Sequence, residues 1–205
     1  MKNPVIIDTG FANIVSIKKA IEFIGYQPIV TSNPLEISRG RYLILPGVGA
    51  FDNVMKHLKE NRIDKGIYEA LLRDDTRILG ICLGLQLLAD SSEEGTFEPG
   101  LGLISGESKK ISSYGDLKIP HVGFNSIVRT KDSQLLKEIP EDFNFYFLHS
   151  FALSPENTSC TVASVDYGQI YTSVIEKDSR IFGTQFHPEK SQKTGLKILS
   201  NFLGT

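Results

Sequence analysis

The segment Arg77-Ile-Leu-Gly-Ile-Cys-Leu-Gly-Leu-Gln-Leu-Leu88 constrains the fold more than any other. Its first half, rich in Ile and Leu, reads as a buried strand, and its second half as a helix. Gly80 and Gly84 stand two residues either side of Cys82. This Gly-x-Cys-x-Gly frame is the cysteine form of the nucleophile elbow, a strained strand-to-helix turn that lifts one side chain clear of a sheet. Glycines belong there because the backbone turns too tightly for neighbouring Cβ atoms. A thiol at a helix start also meets unpaired N–H groups, which favour its anionic form. The alternative is a buried packing cysteine, as many free cysteines are. The paired glycines favour the elbow.

A buried strand that feeds a helix belongs in a parallel sheet covered on both faces, and the first half of the chain has that rhythm. Val5–Ile7 is an apolar triplet followed by Asp8-Thr9-Gly10. Ile14, Ile17, Ala20, Ile21 and Ile24 recur at helical spacing, with Lys18, Lys19 and Glu22 opposite and Gly25 as the closing cap. Ile29-Val30 and Tyr42–Leu45 read as strands; Phe51, Val54, Met55 and Leu58, then Ile67, Ala70 and Leu71, read as helical stripes. The second half changes texture. Strands are expected at Ile119–Val128, Phe143–Leu148, Cys160–Val165, Ile170–Ile175 and Ile181–Phe186. Tyr167-Gly168 and Lys177-Asp178-Ser179 are hairpin turns between them. A last helix from about Lys193 to Phe202 places Leu196, Leu199 and Phe202 inward. The expected architecture is one three-layer α/β domain over residues 1–205. Its mixed, mostly parallel sheet has helices on both faces and an antiparallel C-terminal part.

Composition narrows the function. With 22 basic and 24 acidic residues in 205, nothing points to nucleic acid or an anionic membrane. Two distant cysteines make no disulfide framework, and the N-terminus lacks the apolar run of a signal peptide, so a reducing cytoplasm is expected. The apolar stretch Ile78–Ala89 is too short to span a bilayer and contains Gln86. No metal-ligand spacing is present, and no cofactor is expected.

A thiol nucleophile needs a base, and the base needs a group to orient it. Of the four histidines, His57 falls on a helix beside Val54 and Leu58 and reads as a surface residue. His187 closes the apolar run Ile181–Phe186 and is followed by Pro188-Glu189. A strand that ends at His187 would put the imidazole at the rim of the sheet, where sites form in open α/β folds. Glu189 can then turn back to accept from the ring. The bland alternative is a core histidine beside a surface glutamate. Leu45-Pro-Gly-Val-Gly-Ala-Phe51 is a glycine loop leaving a strand, able either to make an ordinary turn or to rotate a peptide N–H towards an oxyanion. Cys160, with no glycine frame, reads as packing.

Together these segments resemble the class I (triad) glutamine amidotransferases, and within them most closely the glutaminases that feed a histidine-pathway cyclase. The likeness runs from Ile6 to Phe202. Its carriers include Ile-Ile-Asp8 with Asn13, the Pro46–Gly49 loop, the cysteine elbow, Ser92-Glu-Glu-Gly95 and Gly100-Leu-Gly-Leu103. Ile119-Pro-His-Val-Gly-Phe-Asn125, Tyr146-Phe-Leu-His-Ser150 and Gln185-Phe-His-Pro-Glu-Lys-Ser191 complete them. It departs at Phe124, where the family usually carries tryptophan, and at Ala12, where many members have glycine.

The resemblance implies a flavodoxin-like fold and hydrolysis of L-glutamine to glutamate and ammonia. It gives Cys82 as nucleophile, His187 as acid and base, and Glu189 as its orienter. The backbone N–H groups of Val48 and Leu83 would meet the oxyanion, and Gly47, Gly49 and Gln86 would hold the substrate, with main chain near His149 and Ser150 closing the pocket. It further implies a (β/α)8-barrel cyclase subunit as partner in a heterodimer, with Asn13, His121, Phe124, Asn125, Tyr146 and Lys190 at or near the junction and the ammonia path. Phe124 and Tyr146 could equally be strand aromatics, and Lys190 a solvated lysine. Two other roles stay open from sequence: ammonia supply to surface-sugar synthesis, and a stand-alone γ-glutamyl thiol hydrolase.

Overall fold

The computed structural model describes residues 3–95, 98–112, 114–141 and 143–204. The first half alternates strand and helix. In chain order it holds β1 (Val5–Ile7), α1 (Ile14–Phe23), β2 (Ile29–Thr31), α2 (Pro34–Arg39) and β3 (Tyr42–Gly47). Then come α3 (Phe51–Glu60), α4 (Ile63–Leu71), β4 (Arg77–Cys82) and α5 (Leu83–Leu87). Gly25 follows the end of α1 with φ +93°, the left-handed position that a helix terminus wants. The expected elements of this half are all present; α2, too short to leave a helical stripe, is additional.

The second half is richer than the sequence reading. It contains β5 (Ser91–Ser92), β6 (Gly106–Lys110), β7 (His121–Ser126), β8 (Val128–Arg129) and β9 (Asn144–His149). These are followed by β10 (Phe151–Pro155), β11 (Thr161–Asp166), β12 (Ile170–Lys177), β13 (Ile181–Thr184) and α6 (Gln192–Gly204). The single strand expected over Ile119–Val128 is two short strands in different sheets, broken at Ile127: β7 pairs with β9 and β8 with β11. β5, β6 and β10 had no sequence signal; β6, Gly-Glu-Ser-Lys-Lys, is polar at almost every position. Cys160 sits in a 3-10 turn just before β11 rather than in the strand.

The main sheet has the order β2-β1-β3-β4-β13-β12-β11-β8. It is parallel from β2 to β13 and antiparallel from β12 outward, the mixed sheet that the sequence led us to expect. Two smaller sheets, β10-β6-β5 and the ribbon β7-β9, lie outside it.

The central strands are apolar at successive positions because both faces are covered. The period of two divides them. Ile6, Ile44, Leu79 and Ile81 pack on one face with Ile17 and Ile21 of α1 and Ile198, Leu199 and Phe202 of α6. Val5, Ile7, Leu43, Leu45 and Ile78 pack on the other with Ile37 of α2, Val54 and Leu58 of α3, and Ile67 of α4. Two separate apolar cores against one sheet make the three layers. Among the described residues no helix is long and apolar enough to cross a membrane.

Candidate active site

β4 and β13 are parallel neighbours, and their register ends with Thr184 opposite Ile81. Cys82 is therefore the last residue of its strand, at the carboxyl edge of the sheet, where open α/β folds place their sites. The chain continues from β13 across the same edge. The sequence reading let that strand run to His187. Instead it stops at Thr184: the Gln185 N–H makes one more bond to β12, on the Ser173 carbonyl (2.8 Å), and beyond it the chain leaves the ladder, with the Thr184 hydroxyl donating to the Phe186 carbonyl (3.0 Å). His187 comes from a loop, held by its N–H on the Tyr146 carbonyl (2.9 Å) and by the Ser191 hydroxyl on its own carbonyl (2.6 Å).

The elbow is strained where a nucleophile elbow should be. Cys82 itself has φ +55° and ψ −111°, a conformation costly for a residue with a Cβ. Gly80 and Gly84 do not take left-handed angles. They are glycines for want of room: a Cβ at Gly84 would lie 1.8 Å from the Leu45 carbonyl oxygen, and one at Gly80 would lie 2.6 Å from the Gly84 carbonyl oxygen. The two residues let α5 start directly against β3 and β4, and the cysteine between them absorbs the bend.

A cavity of about 260 Å³ opens at this point. Cys82, Leu83, Gln86, Val48, Gly49, His149, Ser150 and His187 all line it, as do Leu148, Phe151, Pro120 and Glu94. The Cys82 thiol donates to the Leu148 carbonyl at 3.5 Å, and the Gln185 amide donates to the sulfur at 3.9 Å. Gln86 is buried, its Nε2 donating to the Phe151 carbonyl (2.7 Å) and to Gln185 Oε1 (3.2 Å). A smaller adjoining cavity brings Gly47, Glu189, Asn13 and Lys190 beside Val48 and His187.

His187 Nδ1 donates to Glu189 Oε1 at 2.9 Å, with the two side chains only 4% and 2% exposed. Burial by itself would push the imidazole down. The Cys82 sulfur and the Glu189 carboxylate outweigh it and hold the ring up, at about 10. A buried ring with a carboxylate on Nδ1 and a sulfur in front stays protonated when the sulfur is anionic. Among the described residues, neither His187 Nε2 nor Glu189 Oε2 has a hydrogen-bond partner. The free Nε2 is the atom that could pass a proton to a leaving amine.

Of the oxyanion donors expected, Leu83 follows the nucleophile at the start of α5, on the cavity wall. The Val48 N–H is engaged elsewhere, on the Phe11 carbonyl at 2.7 Å. The following residue, Gly49, has φ +103°, a backbone conformation that favours glycine.

Around the cavity mouth the remaining residues form two groups. Phe124 packs edge-on to Tyr146 (5.5 Å between ring centres), and Lys190 Nζ lies 5.5 Å from the Tyr146 ring centre. Phe124 is 51% exposed and Val122, on the same ribbon, 55%. Asn13 caps α1, its side chain accepting from the Ser16 N–H. His121 is buried, bonded to His149, and Asn125 bridges His121 to the Asp166 carbonyl. His57 is half-buried and bonded to Asn61, apart from the site. Burial pushes the Cys160 thiol up, as for a packing cysteine.

Glu94 was missed by sequence reasoning. It accepts from the Phe51 N–H at the start of α3 (2.9 Å) and lines the thiol cavity. Burial raises its carboxyl, against the Phe51 hydrogen bond, and nearby Asp52 adds to the rise. The segment Ser92-Glu-Glu-Gly95 carried it, but neither periodicity nor spacing marks one of two adjacent glutamates. A larger groove of about 710 Å³ lies between β10 and β12 and holds neither cysteine nor histidine.

Comparison with known proteins identifies the family. The chain is 44% identical over 204 residues to imidazole glycerol phosphate synthase subunit HisH of Methanosarcina barkeri, covering 99% of this chain and 98% of the relative. It is 41% identical over 209 residues to imidazole glycerol phosphate synthase subunit HisH 2 of Nitrobacter winogradskyi, covering 99% and 98%. Among solved structures, PurLQS from Thermotoga maritima superposes with a TM-score of 0.75 at 19% identity, covering 100% of this chain and 99% of that one, a likeness of fold. The family model for glutamine amidotransferase class-I matches residues 5–204, and with relatives this similar along the whole chain, the protein belongs to the class-I glutamine amidotransferases.

Proposed function

We propose that the chain is the glutaminase subunit of an imidazole glycerol phosphate synthase. It would hydrolyse L-glutamine to glutamate and ammonia and pass the ammonia to a (β/α)8-barrel cyclase subunit, HisF, in a heterodimer that serves histidine biosynthesis. The observation that carries the chemistry is the Cys82 sulfur beside a buried His187 whose Nδ1 is held by Glu189 at 2.9 Å. The relatives named for that synthase support the choice among amidotransferases.

In this reading the Cys82 sulfur attacks the side-chain amide carbon of glutamine. The amide C–N bond breaks as His187 Nε2 gives its proton to the departing nitrogen, leaving ammonia and a glutamyl thioester. The neutral ring then takes a proton from water, whose oxygen attacks the thioester to release glutamate and return the sulfur. Glu189 keeps the ring oriented through both steps. Leu83 N–H and a reoriented Val48 N–H would bind the oxyanion; one such donor contributes about 3–4 kcal/mol to the transition state. Gly47, Gly49 and Gln86 would hold the substrate, main chain near His149 and Ser150 would close the pocket, and Glu94 would be a further acidic wall.

The engaged Val48 N–H supports a switched enzyme, since its hydrogen bond to Phe11 must open before that donor can serve. The exposed apolar residues Phe124, Val122 and Phe11 beside the cavity support a docking face, with Asn13, His121, Asn125, Tyr146 and Lys190 at or near it. Free ammonia would be protonated and lost in bulk water, which makes a covered path the useful one. The test is glutamate release with and without an added cyclase subunit. Strong stimulation by the cyclase is expected. Equal turnover in both conditions overturns the partner-gated reading, and hydrolysis of γ-glutamyl peptides in preference to glutamine overturns the amidotransferase reading.

A further inference from the structure

We infer that His121 and His149 are a positioning pair for the glutaminase reaction, a one-directional hydrogen-bond chain that fixes the wall of the thiol cavity from the ribbon β7-β9. The inference rests on the glutaminase reading above and adds residues to it.

Every proton in the chain is determined by its neighbours. His149 Nδ1 lies 2.9 Å from the Phe151 carbonyl oxygen, which can only accept, so Nδ1 carries hydrogen. A neutral His149 then offers a lone pair at Nε2. His121 Nδ1 lies 3.1 Å from that atom and must be the donor. His121 Nε2 is left as an acceptor, and Asn125 Nδ2 faces it at 3.5 Å. The same Nδ2 donates to the Asp166 carbonyl at 3.0 Å, which fixes the orientation of the amide. The four groups therefore run Asn125 to His121 to His149 to Phe151, all donating in one direction. The ring of His121 is clamped as well, stacked between Phe147 (4.7 Å) and Tyr167 (3.9 Å).

Neutrality is required. A proton added to His149 Nε2 would face the His121 Nδ1–H across 3.1 Å, and one added to His121 Nε2 would face the Asn125 amide N–H across 3.5 Å. The surroundings oppose such a proton: both rings are buried, and both are held down at about 4. The titratable groups facing the pair are Tyr167 from the β11-β12 turn, His187 from the loop after β13, and Cys82 and Glu94 across the cavity. The positive charge of His187 adds to the penalty on His149.

The chain is a clamp and cannot be a proton relay, because it ends on a carbonyl that has no proton to pass on. What it clamps is specific. The Phe151 carbonyl also accepts from Gln86, and the Leu148 carbonyl accepts from the Cys82 thiol. The run from Leu148 to Phe151 is thus the cavity wall that holds the acceptors of both side chains. Its other connection is the ribbon, whose outer residues Val122 and Phe124 are exposed.

The test uses the full chain. Nitrogen-15 spectra of the histidine rings are expected to show both His121 and His149 protonated at Nδ1 only, with neither ring titrating between pH 5.5 and 8. Protonation at Nε2, or titration near pH 6.5, overturns the chain without reference to activity. In the cyclase complex, His121→Phe keeps the stacked ring but removes the donor; glutaminase kcat is expected to fall about tenfold. His121→Asn, which puts an N–H near the Nδ1 position, is expected to restore most of it. An unchanged kcat in His121→Phe, or equal losses in both variants, overturns the positioning role. A wild-type chain that hydrolyses no glutamine with its cyclase overturns the function beneath it instead.

Discussion

Three buried histidines crowd one end of this molecule, and the protein treats them in opposite ways. His187, His121 and His149 are 4%, 3% and 5% exposed. Burial penalises the imidazolium in all three. His187 nevertheless stays charged, because a carboxylate and a sulfur face it, while the hydrogen-bond partners of His121 and His149 among the described residues are each other, a carbonyl and an amide. Equal desolvation with different partners gives one ring poised to donate a proton and two fixed as neutral struts. The partner, more than the depth, sets the function.

The strongest way to break this comparison is to remove the sulfur. Cys82→Ser should lower glutaminase turnover by at least about 10³-fold, with the urea midpoint little changed. Glutamate release at the wild-type rate would end the assignment of Cys82. Glu189→Gln comes next: it keeps an acceptor for Nδ1 but removes the charge that favours the imidazolium. A loss in kcat of about 10²- to 10⁴-fold is expected, together with a fall in the His187 titration measured by NMR. A His187 that titrates as before would show that the carboxylate is not what holds it up.

The pH dependence of stability sharpens the contrast, because the two kinds of histidine act on opposite sides of neutrality. His121 and His149 are held down, so between about pH 6.5 and 4 the unfolded chain binds protons that the folded chain refuses. Stability falls on acidification through that window, by up to about 1.4 kcal/mol per pH unit for each ring. His187 is held up, so its contribution is complete below about pH 6.5 and is lost as pH rises towards 10. Urea unfolding at a series of pH values should give a maximum near neutrality. His121→Phe should flatten the acid side and leave the alkaline side in place. The smallest effect belongs to the other thiol. Cys160→Ala should cost about 1 kcal/mol or less and leave kcat unchanged, since its sulfur packs in the core and donates to the Asn157 carbonyl beneath a 3-10 turn, apart from the thiol cavity.

Local chemistry explains why so much of the candidate site was readable. An elbow needs small residues at fixed offsets from its nucleophile, and Gly80 and Gly84 are legible for that reason. Their role proved to be room for backbone, with the left-handed angle falling on Cys82. Glu189 was readable because it lies two residues from its histidine, within reach of a single turn. The places where the sequence misled are those decided by pairing. β13 ends early because its pairing with β4 stops at Thr184, and the run before Val128 divides because its two halves have different strand partners. β6 is polar and pairs with β10 through backbone groups that carry no composition signal.

By itself, then, the sequence determined the elements and the chemistry that hang on short spacings: the apolar strands shared between two cores, the thiol elbow, and the His-Pro-Glu turn. Only the tertiary structure decided which groups meet across distance. It brought His187 to the edge beside Cys82, turned the Val48 N–H onto Phe11, put Glu94 on the cavity wall, and set His121 against His149. The reason is physical. Spacing along a chain fixes what a helix or turn can do within a few residues. Protonation and hydrogen-bond direction depend on neighbours that only the folded sheet supplies.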